Sequence, residues 1–307
     1  MENLNNSLNI CVVLVTYNRI NKLKKSLKSY SNQEYLPSCI IVVNNNSTDG
    51  TKEYLDLWKL EEDAFKKIVI NLPNNLGGSG GFFVGERKAL EFNSYDWLMV
   101  ADDDAYPEKN YISGLVDFIL HHDSKQYSVV CGKVLQKNTY QHRTLIKNRW
   151  TLNFLRAVPD AFYKRKSFHI DAAGYLGLLI NIEKLREVGC VNPDYFIWAD
   201  DVEHCFRLNR VGDVICIPKY TIIHDTENEK GVLNWKYYYG YRNSTNIVKR
   251  YFPYHYPFVI FFEVVKIILA PLRGKSFVEM KLRLKAILDG HRNKLGVNRL
   301  YRPGWKP

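Results

Sequence analysis

Short runs of consecutive apolar, β-branched residues alternate along the first half of the chain with stretches where apolar residues recur every three or four positions. Ile10–Thr16 (ICVVLVT), Cys39–Val43 (CIIVV), Lys67–Asn71 (KIVIN) and Asp96–Ala101 (DWLMVA) are runs of the first kind and predict strands buried on both faces. Ile20, Leu23, Leu27 and Tyr30 mark a helix, a second opens at Thr51 and runs through Tyr54 and Trp58, and a third lies near Phe82–Glu91. The segment Asn44–Gly50 (NNNSTDG) has turn chemistry, and Asn75–Gly81 reads as a glycine-rich loop. Alternating strands and helices predict an α/β fold, a mostly parallel sheet with helices on both faces. Such sheets bind ligands beyond the carboxyl ends of their strands. Tyr17-Asn18-Arg19, Asn44–Asp49 and Asp102-Asp103-Asp104 follow strands in that way.

The pattern is weaker in the second half. Gln136–Lys166 is polar and basic and predicts a variable loop region, whereas the apolar Ile170–Ile182 predicts a strand. Asp200–Arg210 predicts a helix with Val202, Cys205, Phe206 and Leu208 near one face, and Val214–Ile217 and Thr221–Ile223 predict two short strands. Beyond Trp235 the chain turns aromatic, then apolar, then basic. The apolar run Phe258–Ala270 (FVIFFEVVKIILA) is interrupted by Glu263 and Lys266 and is shorter than the roughly 18 uncharged residues a membrane span needs. It suits an amphipathic helix lying on a membrane, or one packed on protein or in an oligomer interface.

Composition narrows the classes. With 46% hydrophobic and 24% charged residues in 307, a packed core is expected. Six cysteines without a C-x-x-C pair argue against a zinc ribbon or disulfide scaffold. Met1–Asn9 lacks the basic and apolar regions of a secretory signal, so reduced thiols in the cytoplasm are expected. The net charge of +11 admits nucleic acid, an anionic membrane or a phosphorylated small molecule as partner. Its distribution is informative: Arg273–Pro307 holds ten basic and two acidic residues, a net eight of the eleven. Basicity beside an apolar run favours an anionic membrane surface over nucleic acid.

Three adjacent carboxylates, Asp102 to Asp104, repel one another unless a positive charge joins them. In an extended segment Asp102 and Asp104 would project to one side and flank a divalent cation completed by phosphate oxygens and water. The alternative is a solvated acidic turn. Asp200-Asp201, opening a helix with Glu203 and His204, offers a helix cap in Asp200 and a general base in Asp201. His224 is either structural or a further member of an oxygen-rich metal site. The glycines around Gly78 would let a ligand approach the backbone ahead of a helix N-terminus. Their spacing is neither a P-loop nor a dinucleotide fingerprint, which disfavours kinase-type and dinucleotide-binding readings.

Taken in order, VVLVTYNR (Val12–Arg19), VVNNNSTDGT (Val42–Thr51), DDD (Asp102–Asp104) and WADDVEHCFR (Trp198–Arg207) resemble glycosyltransferase family 2 over about residues 10 to 250. NNLGGSGGF (Asn74–Phe82) looks like the version in bacterial galactofuranosyltransferases, with rhamnosyltransferases as near relatives. The resemblance implies a GT-A catalytic domain over residues 1–235, with a donor half at about 10–133 and an acceptor half at about 134–235. A basic helical region would follow at 236–307. It implies that Thr16, Asn18, Arg19, Asn44, Asn46, Gly78, Asp102 and Asp103 bind the nucleotide sugar. Asp102, Asp104 and His224 would hold Mn2+ or Mg2+. Asp201 would be the catalytic base, and Trp198, Asp200 and Gly174 would line the acceptor cleft. Many members carry Asp, contacting uracil, where Asn44 or Asn45 stands here; an amide still hydrogen-bonds a pyrimidine edge.

The implied activity is inverting transfer of galactofuranose from UDP-galactofuranose to a lipid-linked saccharide of the cell surface, at the inner face of the membrane. A dTDP-rhamnose donor is the alternative within the fold. A nucleic-acid-binding protein would explain basic charge and abundant tyrosine but not the Asp triplet. A catalytically silent scaffold would keep the fold without needing the acids.

Overall fold

Each of the four expected strands of the first half is present, as β1 (Ile10–Thr16), β2 (Cys39–Asn44), β3 (Lys66–Asn71) and β4 (Trp97–Asp102). The structure is a computed structural model and describes residues 7–226, 233–274 and 276–307. Helices α1 (Ile20–Ser31), α2 (Thr51–Trp58) and α3 (Gly77–Leu90) connect these strands, which all run parallel in the order β3-β2-β1-β4. The chain continues through β5 (Ala105–Pro107), α4 (Tyr111–Leu120), β6 (Tyr127–Gln136), β7 (Thr139–Gln141), β8 (Arg143–Ile146), β9 (Leu155–Ala157), β10 (Phe168–His169) and β11 (Ala172–Ala173). Then come β12 (Leu176–Asn181), α5 (Ile182–Val188), α6 (Asp200–Leu208), β13 (Asp213–His224), α7 (Lys236–Tyr251), α8 (Tyr256–Ile268) and α9 (Phe277–His291). Beyond β4 the sheet extends through β12, β6, β13 and β10; β12 is antiparallel to both β4 and β6, and β13 is parallel to β6.

The two-residue period of a pleated strand sorts the core. In β1, Ile10, Val12 and Leu14 join the α1, α2 and α4 residues on one face of the sheet. Cys11, Val13 and Val15 join Phe82 of α3, Phe206 of α6, and Ile247, Val259 and Ile287 of α7, α8 and α9 on the other. The C-terminal helices are thus built into the same core as the strands.

Four expectations need correction. Asn75–Gly81 is not a loop, because α3 already begins at Gly77. Its glycines serve close packing: a Cβ at Gly81 would meet Val15 at 2.5 Å, and one at Gly85 would meet Val13 at 2.3 Å. Gln136–Lys166 contains β7, β8 and β9, and β8 pairs with β9 and β11 in a second small sheet. Lys137 and Asn138, both at positive φ, turn β6 back into β7, as a two-residue hairpin requires. The two short strands after Asp213 are one, β13, with an irregularity between Ile217 and Thr221. Asp103 and Asp104 form a turn between β4 and β5 rather than an extended segment. No helix among the described residues is long and apolar enough to cross a membrane.

Candidate functional site

Two adjoining cavities, of about 880 and 280 Å³, open beyond the carboxyl ends of β1, β2 and β4; both are lined by Arg19, Gly78, Asp102, Ile197 and Lys236. Thr16, Asn45 and Asp103 complete the sheet side of the larger one. Asp104, His224, Trp198, Asp200 and Asp201 close the smaller. The Asp turn therefore deals its side chains apart: Asp103 faces the larger cavity, Asp104 the smaller, and Asp102 both.

Of the residues expected at a nucleotide, Thr16, Arg19, Gly78, Asp102 and Asp103 stand on the larger cavity's wall, whereas Asn18, Asn44 and Asn46 do not. Asn44 is buried and committed: its amide donates to Asn71 Oδ1 at 2.8 Å and its oxygen accepts from the Ser47 N–H at 3.0 Å. Asn18 and Asn46 are exposed and take the positive φ that a short amide side chain tolerates. Asn18 Oδ1 accepts from the Thr48 N–H at 2.7 Å, tying the turns after β1 and β2 together. Asn45 reaches the cavity instead, accepting from Leu76 N and donating to the Gly77 carbonyl, both at 2.8 Å. It thereby pins the first turn of α3. Gly77 needs its positive φ and its missing Cβ, which would lie 2.0 Å from the Phe196 carbonyl; Gly78 has open space before it. Gly78 is the glycine of this helix start that leaves room for a ligand.

The acids are held against one another by a few cations. Arg19 Nη1 lies 3.1 Å from Asp103 Oδ1 and 2.8 Å from Asp104 Oδ2, and Thr16 donates to Asp103 at 2.7 Å. Burial pushes Asp103 up to about 6 despite Arg19 and Thr16. Burial, then the neighbouring Asp104 and Asp103 carboxylates, push Asp102 well above the usual range. Asp104 goes the other way: against the cost of burial, His224 and Arg19 hold it below the usual value.

Among the described residues no three His, Cys, Asp or Glu side chains converge as a closed metal site. Asp102, Asp104 and His224 instead face one cavity from separate elements. Asp104 Oδ1 is buried without a hydrogen bond and lies 3.4 Å from His224 Nε2. Two carboxylates and an imidazole on an open wall, with one oxygen of the Asp104 carboxylate lacking a hydrogen bond, are a donor set that fits a divalent cation carrying further oxygen ligands from elsewhere.

The second acidic pair is delivered by a strained segment. Phe196, Trp198 and Ala199 all have positive φ, at 67°, 63° and 65°. Ala199, not Asp200, is the capping residue of α6, and it provides no side-chain cap. Asp200 is buried at the first helical position, and burial raises it. Asp201 accepts from the Val202 N–H at 2.7 Å, and Gly174 lies beside it, since a Cβ there would sit 3.5 Å from Asp201 Oδ2. Burial and then the Asp200 charge bring Asp201 up to about 7, outweighing the helix N-terminus. That is the range for a general base near neutrality. Glu203 and His204 do other work. Glu203 accepts from Arg207, Arg250 and Tyr251, and His204 is buried beside the Tyr175 hydroxyl.

Four lining residues lie outside the motifs: Trp235, Lys236, Trp305 and Lys306. The sequence shows these four only as two Trp-Lys dipeptides 70 positions apart, a dipeptide that also occurs at Trp58-Lys59, and nothing in it links them to β1.

The sequence model of glycosyl transferase family 2 matches residues 11–180. The chain is 27% identical over 210 residues to galactofuranosyltransferase GlfT1 of Mycolicibacterium smegmatis, covering 66% of each protein. It is 22% identical over 209 residues to the low-salt glycan biosynthesis hexosyltransferase Agl10 of Haloferax volcanii, covering 66% of this chain and 62% of that one. The chain thus spans just under two thirds of the length of these curated relatives. GalNAc-T7, solved with UDP, GalNAc and Mn2+, superposes with a TM-score of 0.65 at 17% identity, over 94% of this chain and 56% of that one. Residues 1–349 of S. aureus TarS with UDP-GlcNAc give 0.58 at 15% identity, over 92% and 80%. At these identities the two structures share the fold.

Proposed function

Because the chain belongs to glycosyl transferase family 2, we propose that it transfers a hexose, galactofuranose from UDP-galactofuranose, to a saccharide acceptor with inversion at the anomeric carbon. The observation that carries the reading is the small cavity, where Asp201 faces Asp102, Asp104 and His224 and which opens into a second cavity of about 880 Å³. That volume lies within the range of small-molecule sites, roughly 300–1,000 Å³. The galactofuranose assignment rests on the GlfT1 name of a relative and on the NNLGGSGGF stretch.

In this reading the nucleotide lies over Thr16, Asn45 and Gly78, with its diphosphate toward Asp102. An acceptor hydroxyl beside Asp201 gives its proton to the Asp201 carboxylate while its oxygen attacks the anomeric carbon. The bond from that carbon to the diphosphate oxygen breaks on the opposite face, and its electron pair leaves with UDP. A single displacement inverts the centre and needs no covalent intermediate. A divalent cation held by Asp102, Asp104 and His224 would supply positive charge against the leaving diphosphate. Trp198, 43% exposed at the mouth, offers the acceptor a flat apolar face.

Thermal stabilisation by UDP, dTDP and GDP, each with Mn2+ or EDTA, tests the donor. UDP with Mn2+ is expected to give the largest shift, and Asp104→Ala to remove the Mn2+-dependent part. Equal shifts with Mn2+ and EDTA in the unaltered protein would remove the cation. Consumption of dTDP-rhamnose in place of UDP-galactofuranose would move the donor to the alternative.

The acceptor's setting is read from α8, whose amphipathicity is inverted. Val259, Glu263 and Ile267 face the protein, where Glu263 pairs with Lys266 at 2.7 Å and with Arg283. Phe258, Phe261, Phe262 and Ile268 face outward, and beyond them Leu272 and Phe277 are 84% and 77% exposed. Lys281, Arg292 and Lys294 are exposed on and after α9. Outward aromatic residues flanked by cations suit an anionic lipid surface, which would present a lipid-linked acceptor. The protein is expected to float with vesicles of mixed neutral and anionic phospholipid, and the triple variant Phe258→Ser, Phe261→Ser, Phe262→Ser to stay behind. A dimer in solution that the triple variant dissolves, with no vesicle binding, would assign this face to a second copy instead.

A further inference from the structure

Besides Thr16, Asp102 and Asp103, the larger cavity is walled by two segments outside the family-matched residues. One is Leu233–Lys236, leading into α7; the other is Pro303–Pro307. Each brings a tryptophan and a lysine. The second segment is anchored by Tyr301, which is buried, stacks on Tyr238 with ring centres 4.7 Å apart and meets Trp305 edge-on at 5.1 Å. The Tyr301 carbonyl accepts from the Tyr239 hydroxyl at 2.8 Å, and that hydroxyl accepts in turn from the Asn298 N–H at 3.0 Å. Trp305 is consequently held half-buried at the cavity, with Lys306 exposed at its rim.

Charge says what this wall is for. A diphosphate placed beside Asp102 and Asp103 is repelled unless cations balance it. Among the described residues three cationic side chains line the cavity: Arg19, Lys236 and Lys306. Arg19 is committed to Asp103 and Asp104, whereas Lys236 and Lys306 have no carboxylate partner among the described residues. Lys236 instead lies 5.9 Å from the Trp235 ring centre. Two ammonium groups, two indoles and two acids lining one cavity match a ligand that is anionic in one part and flat in another.

Resting on the donor reading given above, we propose that Trp305 and Lys306 complete the donor site: Lys306 takes diphosphate charge, and the Trp305 indole covers the nucleotide. The segment at Pro303–Pro307 is then a working wall of the site. Gly304, at φ +94°, gives this wall a turn that other residues rarely adopt.

UDP binding to the full chain by titration calorimetry, in Mn2+ and separately in EDTA, tests this. Lys306→Ala is expected to weaken UDP about tenfold in both media, since a charge-assisted contact is lost whether or not a metal is present. Trp305→Ala is expected to cost about tenfold as well, as loss of a stacking face does. Trp305→Phe should keep the affinity but lose part of the UDP-induced change in tryptophan fluorescence. Unchanged melting temperatures of the ligand-free variants verify that the fold is intact. UDP affinity within about twofold of the unaltered protein in both alanine variants overturns the inference and leaves the donor reading standing. Tighter binding by either variant also overturns it, since the segment would then obstruct the cavity. Failure of the unaltered protein to bind UDP overturns both.

Discussion

Asp201→Asn is expected to lower turnover by about a thousandfold while UDP binds as before, because general-base catalysis contributes roughly 10²–10⁴. The amide keeps the shape and still accepts from the Val202 N–H, but it cannot take the acceptor's proton. In the unaltered protein, turnover should rise with pH and level off above about 7, where Asp201 becomes the carboxylate. Stability supplies an independent check. Asp201 titrates higher folded than unfolded, so ionising it costs stability, and that cost sets in as pH rises from the usual carboxylate range to about 7. The Asn variant is never charged there. It should melt at or above the temperature of the unaltered protein at pH 8, with the difference vanishing at pH 3. An inactive but no less stable protein separates chemistry from folding. Near-normal turnover would remove Asp201 from the mechanism.

The parts of this fold legible in sequence are those where one local pattern has one structural meaning. Residues such as Val12 to Val15 and Ile40 to Val43 must be buried on both faces, and only central strands allow that. Their ends then place Thr16, Asp102 and Asp103 together. The start of α3 was hidden because glycine is a poor helix former, and its reason for being there is a close approach to Val13, Val15 and Phe196. The strands within Gln136–Lys166 are three and four residues long, too short to show a period. Asn44 illustrates a different failure. Its place in a nucleotide-binding motif is evident, but sequence does not show that Asn71 and Ser47 claim its amide and leave Asn45 to face the cavity. The Trp-Lys wall was invisible for a third reason, since its two segments meet β1 only through tertiary packing.

Asn243→Ala is expected to reduce kcat by about a hundredfold with little change in UDP affinity, because it loosens the segment that presents Trp198 and Asp201. Three non-glycine residues at positive φ within Phe196–Ala199 cost about 1–3 kcal/mol each and persist only where their surroundings over-determine them. Asn243, fully buried on α7, provides much of that determination: its amide N–H groups reach the carbonyls of Tyr195 at 3.0 Å, Ile197 at 3.0 Å and Trp198 at 2.7 Å. Arg242 beside it donates to Asp194 and Tyr195 and fixes the Asn243 oxygen at 2.9 Å. Alanine removes every donor of that fan, and leaving buried carbonyls short costs about 1–3 kcal/mol, so the melting temperature should also fall. Activity measured well below the new melting point distinguishes the two effects. If the segment relaxes toward ordinary backbone angles, kcat falls there more than UDP affinity does, because most of the nucleotide cavity's lining lies on other segments. A variant that melts lower yet turns over normally at low temperature would show that these bonds serve stability alone and that Asp201 is positioned by α6 itself.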